Sequence, residues 1–146
     1  FEAASRGAAR VVMIDREPRA LASMRRLRDR LGATAVELVQ ADAIEWLRAA
    51  GDRRGGFDVV FLDPPFGRDW LRRALPLVVP LLAPGARVYV EAEAALHALL
   101  ESLPEGLTLA RAQRAGQVHY HLLQYELSPR EPDSWQLPST PARSTR

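Results

Sequence analysis

Short apolar runs alternate with amphipathic segments along most of the chain. Apolar runs occupy residues 9–15, 35–40, 57–63 and 87–93, and the first and third of them end in an aspartate. Continuous apolar runs of this length are typical of parallel strands that are covered on both faces. We therefore predict buried parallel strands in these segments.

The segments between the predicted strands have the spacing of helices. In residues 18–31, apolar side chains recur at helical spacing with arginines between them: Leu21, Met24, Leu27 and Leu31. Proline suits the first turn of a helix, and glycine commonly ends one, so Pro18 and Gly32 mark the two ends. The pattern predicts a helix over residues 18–31.

Two further helices are predicted at residues with capping side chains. Asp42 and Glu45 have the spacing of a capping box at the start of one helix. Asp69 is placed to cap the other, over residues 70–75, after which Pro76 and Pro80 are expected to kink or split the chain.

The C-terminal part changes character. Residues 82–86 suggest a turn, and residues 94–103 suggest a helix. Residues 107–114 and 117–127 alternate in polarity, which predicts two antiparallel strands joined around Ala115 and Gly116. From residue 128 onward, the Pro, Ser, Thr and Arg content is typical of a solvated tail. Alternating strands and helices predict an α/β fold whose parallel sheet has helices on both faces.

Composition narrows the class of protein. The chain has 146 residues, about the length of one domain, and no cysteine, which excludes disulfides and thiolate metal sites. It has no apolar run that could span a bilayer and no signal peptide, which fits a cytosolic protein. All 20 basic residues are arginine, and the net charge is +2. A GC-rich genome explains the arginines more simply than phosphate binding does, so a nucleic-acid partner is permitted but not required.

Three aspartates lie at or just after the predicted ends of parallel strands: Asp15, Asp42 and Asp63. Ligands of such sheets bind at the carboxyl ends of the strands. Asp15 is placed to accept hydrogen bonds from two ribose hydroxyls, although an acid at a helix start is an alternative because Pro18 follows. Asp42 suits either an N-cap or an adenine amino group, and Ala43 beside it would let an adenine approach the backbone.

The most specific stretch consists of Asp63, Pro64, Pro65 and Phe66. Neither proline has an amide proton, so the carbonyls of Asp63 and Pro64 are fixed without neighbouring backbone donors. Such a group of acceptors suits an incoming NH₂ group, and an aromatic ring beside it offers a face on which a base can stack. A tight turn with a buried phenylalanine explains the order of these residues less well.

With this motif in place, the sequence resembles the bacterial 16S ribosomal RNA guanine-N2 methyltransferase family over residues 1–127. Segments that carry the resemblance are "FEAASRGAARVVMID", "ADAIEWL", "FDVVFLDPPF", "VYVEAE" and "AGQVHYHLLQYE". The resemblance implies a Rossmann-like S-adenosylmethionine-dependent methyltransferase fold, a mostly parallel sheet that ends in an antiparallel hairpin. Residues 1–127 are then the methyltransferase domain, and residues 128–146 are a flexible tail.

The resemblance also implies roles for particular residues. Asp15 corresponds to the acid that binds the ribose of S-adenosylmethionine, and Asp42 with Ala43 to the pair that contacts its adenine. The catalytic loop corresponds to residues 63–66, in which Asp63 and the Pro64 carbonyl accept the hydrogens of the guanine amine while Phe66 stacks on the base.

One part of the family pattern is absent from this sequence. In the family, a first strand and a glycine-rich loop come just before the segment that matches residues 1–5. The resemblance also implies that residues 1–5 are helical. That strand lies in the middle of the family sheet, between the strands that end in Asp15 and Asp63. We therefore expect two half-sheets with unpaired inner edges, and impaired activity of the chain by itself.

Partners and alternatives follow from the same reasoning. The resemblance implies 16S ribosomal RNA or a small-subunit assembly particle as substrate, in the cytoplasm, with a monomer favoured. Three arginines that follow the loop are predicted to contact RNA phosphates: Arg68, Arg72 and Arg73. A solvated helix face explains these arginines equally well. No metal is expected. The alternatives are a DNA amino-methyltransferase and a non-catalytic RNA-binding fragment.

Overall fold

Two separate sheets form the frame of the computed structural model, which describes residues 1–50, 56–67 and 69–126. One sheet has two strands in the order β1-β2, and the other has four in the order β3-β4-β6-β5. Most of the predicted loop at residues 51–56, Arg68 and the predicted tail at residues 128–146 lie outside the described residues.

The two-stranded sheet is a parallel pair joined by a helix. After the short helix α1 (Glu2–Ser5), β1 (Val11–Asp15) leads into α2 (Pro18–Leu31) and then into β2 (Val36–Gln40). The strands are in register from the pair Val11 and Val36 to the pair Asp15 and Gln40. These elements confirm the predicted strand–helix–strand unit and the helix at residues 1–5.

The ends of α2 are set by local backbone chemistry. Pro18 occupies the first turn, where its missing N–H costs no helical hydrogen bond, and the Glu17 side chain accepts a hydrogen bond from the Arg19 backbone N–H. Gly32 ends the helix with a φ of 60°, a left-handed conformation that glycine adopts without a Cβ clash. Leu21 is fully buried, whereas Leu31 at the end of the helix is 59% exposed.

The four-stranded sheet combines a parallel pair with an antiparallel hairpin. β3 (Phe57–Leu62) lies parallel to β4 (Leu82–Ala92), and β4 pairs antiparallel with β6 (Val118–Tyr125). The outer strand β5 (Leu107–Ala115) pairs antiparallel with β6 through a tight connection at Gly116. The predicted C-terminal hairpin is thereby confirmed.

Helices cover one face of this sheet and form the main core. They are α3 (Ala43–Ala50), α4 (Trp70–Val78), the 3-10 turn at Val79–Leu81 and α5 (Leu96–Leu99). Buried side chains from the helices, from alternate positions of β4 and from β6 meet in one cluster: Ile44, Leu47, Leu75, Val78, Val88, Val90 and Leu123. Burying a leucine or valine side chain contributes about 1.5–3 kcal/mol, so this cluster holds α3 and α4 against the sheet.

Three boundary predictions are wrong. α4 continues through Pro76 to Val78 instead of ending at residue 75, and the predicted split occurs at the 3-10 turn that contains Pro80. The predicted turn at residues 82–86 lies within β4, where the register with β3 shifts between Phe57 and Val59 and Gly85 has a φ of 78°. The predicted helix over residues 94–103 is only the single turn Leu96–Leu99.

A cleft separates the inner edges of the two sheets. In the described part of the chain β1 pairs only with β2, and β3 only with β4. An apolar cavity of about 330 Å³ lies between them, with Val12 and Ile14 on one side and Val59 and Phe61 on the other. Val59 is 50% exposed and Phe61 is 67% exposed. The expectation of two half-sheets with unpaired inner edges is confirmed.

No described helix has an apolar stretch that is long enough to cross a membrane.

Candidate functional site

Two cavities meet at the loop that follows β3, at the carboxyl ends of the parallel strands. The inner cavity, of about 270 Å³, is lined by Asp15, Ala43 and Asp63 among others. The outer cavity, of about 320 Å³, is lined by Phe66 and Glu91 among others. The same four residues border both cavities: Pro64, Pro65, Trp70 and Leu71. The predicted catalytic loop therefore forms a wall between two potential binding spaces.

Asp15 ends β1 and borders the inner cavity. Its Oδ1 accepts a hydrogen bond from the backbone N–H of Glu17 at 2.8 Å, which orders the turn before α2. Among the described residues, its Oδ2 has no hydrogen-bond donor. The carboxylate thus supports the turn with one oxygen and can present the other to a ligand, so the two interpretations of this acid are compatible.

Asp42 has a structural role at the start of α3. Its Oδ1 accepts from the backbone N–H of Ile44 at 2.9 Å and of Glu45 at 3.2 Å, as an N-cap does. The Glu45 carboxylate is paired with Arg48 instead of closing the capping box. Ala43 borders the inner cavity, whereas Asp42 does not. The geometry supports Ala43 as a ligand contact more directly than Asp42.

The loop from Asp63 to Phe66 directly follows β3 and contains a bend at Phe66. Asp63 borders only the inner cavity, and Phe66 borders only the outer one, where it is 49% exposed. Gly67, with a φ of 79°, reverses the chain after Phe66. An exposed aromatic ring beside a cavity has a free face for stacking, in contrast to the buried ring of an ordinary turn.

Asp69 does not cap α4 with its side chain. It occupies the N-cap position, but it makes no side-chain cap hydrogen bond and has a φ of 44°. Non-glycine residues rarely adopt this left-handed conformation, and aspartate is one of the few that tolerate it. The predicted cap is therefore wrong: the carboxylate borders the outer cavity instead.

The predicted phosphate-binding arginines have protein partners where they are described. Arg72 donates to the carbonyl oxygen of Leu99 at 3.2 Å and lies 3.8 Å from Glu101. The Arg73 guanidinium lies 5.9 Å from the centre of the Trp70 ring. Arg68 lies outside the described residues. Arg72 borders the outer cavity, so it is near the site, but its side chain is already held by α5.

Several residues of the site were missed by sequence reasoning. Tyr89 and Glu91 lie on β4, and the Tyr89 hydroxyl donates to Glu91 Oε1 at 3.3 Å. Burial raises the pKa of Tyr89, and the neighbouring Glu91 carboxylate raises it further. The signal for Glu91 was present, because it ends a strand next to β3, but its role was not distinguishable from that of an ordinary strand-end acid.

The histidines take no part in this site. His121 is 2% exposed on β6, and its Nε2 accepts from the Leu96 backbone N–H at 3.3 Å. His119 stacks beside it with ring centres 6.4 Å apart. Among the described residues there is no group of three His, Cys, Asp or Glu side chains that could hold a metal ion.

Comparisons with known proteins agree with this geometry. Two relatives named "Ribosomal RNA small subunit methyltransferase D" match: one from Buchnera aphidicola, 28% identical over 124 residues, and one from Escherichia coli K12, 32% identical over 128 residues. The matches cover 84% and 86% of this chain but 61% and 62% of those proteins. The chain thus spans less than two thirds of the length of these curated relatives.

Solved structures share the fold. The protein yhhF from Escherichia coli, assigned as a methyltransferase, matches with a TM-score of 0.74 and 30% identity over 87% of this chain and 69% of its own. A methyltransferase solved in complex with SAH matches in fold, with a TM-score of 0.67 and 14% identity over 81% of this chain and 40% of its own. The α/β fold with its mixed sheet is thus consistent with a Rossmann-like methyltransferase fold.

The family model described as "Conserved hypothetical protein 95" matches residues 1–124, from α1 to the end of β6. Because the match includes both sheets and every residue that borders the two cavities, the chain belongs to this family.

Proposed function

We propose that the full-length protein transfers a methyl group from S-adenosylmethionine to the exocyclic N2 amine of a guanine in small-subunit ribosomal RNA. The observation that carries this proposal is the loop at residues 63–66, an acceptor-rich wall between a cavity that ends at Asp15 and a cavity that contains Phe66. The names of the relatives support the reaction class and the RNA substrate.

The inner cavity fits the adenosine half of the cofactor. Asp15 can accept from the ribose hydroxyls, and the small side chains of Ala41 and Ala43 leave room for the adenine ring beside Leu62. The cleft that adjoins this cavity is apolar and offers no charged partner for the methionine end among the described residues. When bound, S-adenosylmethionine supplies a methyl group that is activated by attachment to a sulfonium.

Asp63 and Pro64 prepare the amine for attack. The lone pair of guanine N2 is delocalised into the ring, which makes the amine a poor nucleophile. By accepting one N–H each, the Asp63 carboxylate and the Pro64 carbonyl favour a pyramidal nitrogen whose lone pair points towards the methyl group. Because both acceptors are fixed before the reaction, they stabilise the positive charge that develops on nitrogen.

Electrons and protons balance without a metal ion. Held by Asp15 and Ala43, S-adenosylmethionine would supply the methyl carbon to which the N2 lone pair bonds, and its sulfur would keep the electron pair of the carbon–sulfur bond that breaks. The nitrogen then has one proton too many, and the Asp63 carboxylate is placed to receive it and pass it to water. Phe66 holds the splayed base in line with the methyl group by stacking on it.

We further propose that residues 1–127 are a methyltransferase domain whose sheet is completed by one more apolar strand in the cleft between β1 and β3. Both inner edges of the cleft are parallel strands with unpaired backbone groups in the described chain, and the cavity of about 330 Å³ between them is apolar.

Partners follow from the proposed reaction. We infer that the substrate is 16S ribosomal RNA, free or in a small-subunit assembly particle, and that the protein acts as a monomer in the cytoplasm. We propose that Arg72 and Arg73, and by sequence position Arg68, contact RNA phosphates, for which Arg72 must release Leu99 or share its donors.

The test is identification of the methylated nucleoside. Full-length protein is incubated with labelled S-adenosylmethionine and either 16S ribosomal RNA or small-subunit particles that lack the modification, and the RNA is digested and analysed by mass spectrometry. We expect N2-methylguanosine. Methylated adenine or cytosine in DNA would favour a DNA amino-methyltransferase, and RNA binding with no methyl transfer would favour a non-catalytic RNA-binding protein.

A further inference from the structure

The outer cavity has the properties of a pocket for a single flat base. Its volume of about 320 Å³ is at the lower end of the range for small-ligand sites, roughly 300–1,000 Å³. Phe66 and Trp70 supply aromatic surface, and the carboxylates of Glu91 and Glu93 supply acceptors at the end of β4. A base seated there has an aromatic face beside it and acids along its rim.

Glu91 and Asp63 each follow the last residue pair between the neighbouring parallel strands β4 and β3. The register pairs Phe61 with Tyr89 and Leu62 with Val90, and Asp63 and Glu91 are the residues that come directly after that last pair. Phe61 and Tyr89 lie on the same face, with ring centres 5.9 Å apart, and side chains two residues further along a strand return to that face. Adjacent strands are about 4.8 Å apart, so the two acids begin from neighbouring backbone positions.

The position of Tyr89 supports this placement. Its hydroxyl donates to Glu91 Oε1 at 3.3 Å, and both the Glu91 and the Asp63 carboxylates contribute to the raised pKa of Tyr89. Two negative groups therefore lie near one phenol. Since Tyr89 stays protonated, it remains a donor and holds the Glu91 side chain in a fixed orientation beside the loop.

We propose that Glu91 determines the choice of base by accepting the N1–H of guanine while Asp63 accepts from the neighbouring N2 amine. This inference rests on the proposed function and identifies which base that site takes. Guanine has N1–H and N2–H donors side by side on one edge. Adenine and 2-aminopurine have an unprotonated N1, whose lone pair would face the Glu91 carboxylate without a proton between them.

The experiment compares two target bases in the full-length protein. Short RNA substrates carry either guanine or 2-aminopurine at the methylated position; both have the N2 amine, but only guanine has N1–H. We expect wild-type kcat/KM to favour guanine, and Glu91→Gln to reduce that preference about tenfold to a hundredfold, the size of one hydrogen bond to a charged group. The glutamine amide can donate to N1 of 2-aminopurine, so activity on that base should rise or hold while activity on guanine falls.

Two matched changes define the outcome. Glu105→Gln makes the same chemical change at an exposed turn outside both cavities and should leave the preference unchanged. Glu93→Gln changes a second glutamate of the outer cavity and should alter the preference less than Glu91→Gln. An unchanged preference in Glu91→Gln, or a larger change in Glu93→Gln, overturns the assignment of Glu91. If wild-type protein does not methylate N2 of guanine at all, it is the proposed function that fails.

Discussion

The backbone N–H of Leu96 donates a hydrogen bond to Nε2 of the buried His121 at 3.3 Å. This contact attaches the single-turn helix α5 to the covered face of the four-stranded sheet. A helix of one turn has little stability of its own, so its position depends on such tertiary contacts. Because Nε2 is an acceptor here, the contact requires a neutral imidazole.

Stability should therefore fall in mild acid. Burial lowers the pKa of His121 below its ordinary value of 6.5. The nearby His119 and His97 lower this pKa further, whereas a hydrogen bond with the Val90 backbone opposes the shift. The unfolded chain then binds a proton that the folded chain rejects, so the free energy of unfolding decreases as pH falls through about 6.5 and recovers as pH rises. Urea denaturation of the full-length protein between about pH 5 and pH 7.5 measures this slope.

The matched variants are His121→Leu and His97→Gln. His121→Leu removes the titrating group and should flatten the pH dependence, even though it also loses the bond to Leu96. His97→Gln replaces an exposed histidine and should preserve most of the dependence. Equal slopes in wild-type protein and His121→Leu would show that another group is responsible.

Strand–helix alternation was predictable because it depends on patterns within a few residues. The run before Asp15, the prolines after Asp63 and the glycine at position 32 each act locally, and the elements they predicted were found. Elements that depend on tertiary packing were not predictable from such local patterns. α4 continues past Pro76 because its apolar face is buried, with Leu75 and Val78 almost fully enclosed, and this burial outweighs the lost helical hydrogen bond.

The same distinction holds at the site. Asp63 and Phe66 could be proposed from the motif because the order of acid, two prolines and an aromatic residue has a direct chemical reason. Tyr89 and Glu91 could not, because their relation to Asp63 arises only from the pairing of β4 with β3 and from the register shift before Val59. Burial of His121 likewise follows from which face of β6 the helices cover.

Cofactor binding should depend on Asp15. In the full-length protein, Asp15→Ala removes both the acceptor for the ribose and the acceptor for the Glu17 N–H, and we expect the affinity for S-adenosylmethionine to fall tenfold or more, about 1.4 kcal/mol. Isothermal titration calorimetry measures the loss. Asp15→Asn keeps an oxygen for the turn but loses the charge, so it separates the two roles.

The control for this prediction is Asp58→Ala, an exposed aspartate on β3 that borders neither cavity. It should bind the cofactor as wild-type protein does. If Asp15→Ala binds with unchanged affinity and an unchanged melting temperature, Asp15 does not belong to the cofactor site.

Residues 1–146 expressed alone should self-associate. The unpaired inner edge of β3 exposes Val59 and Phe61, and open apolar strand edges pair readily with other chains. We expect a concentration-dependent increase in particle size by light scattering, and very weak binding of S-adenosylmethionine. A charge on the edge opposes pairing, so Phe61→Arg should reduce the association.

Leu109→Arg is the comparison for that variant. Leu109 is 50% exposed on the outer strand β5, away from the cleft, so the same gain of charge there should affect association less. A monodisperse chain with micromolar affinity for the cofactor would contradict both the strand order and the proposal that a further strand fills the cleft.

The catalytic loop should separate chemistry from base binding. Asp63→Ala removes an acceptor at the nitrogen where positive charge develops, and loss of one such preorganised group typically lowers the rate by about 10²–10³, roughly 3–4 kcal/mol. Cofactor affinity should change far less, because the proposed adenosine contacts lie at Asp15 and Ala43 on other elements. Phe66→Ala should weaken engagement of the RNA by about 1–3 kcal/mol, the stacking energy of one base, since its ring is half exposed beside the outer cavity.

Single-turnover methylation of small-subunit ribosomal RNA by full-length variants distinguishes these effects. At saturating RNA and cofactor, Asp63→Ala should remain slow because the chemical step itself is impaired, while Phe66→Ala should recover much of its rate because saturation compensates for weaker binding. Asp63→Asn retains one acceptor oxygen without the charge and should fall between wild-type protein and Asp63→Ala. If Asp63→Ala instead abolishes cofactor binding and Phe66→Ala has no effect on RNA, the loop belongs to the cofactor site and the amine is held elsewhere.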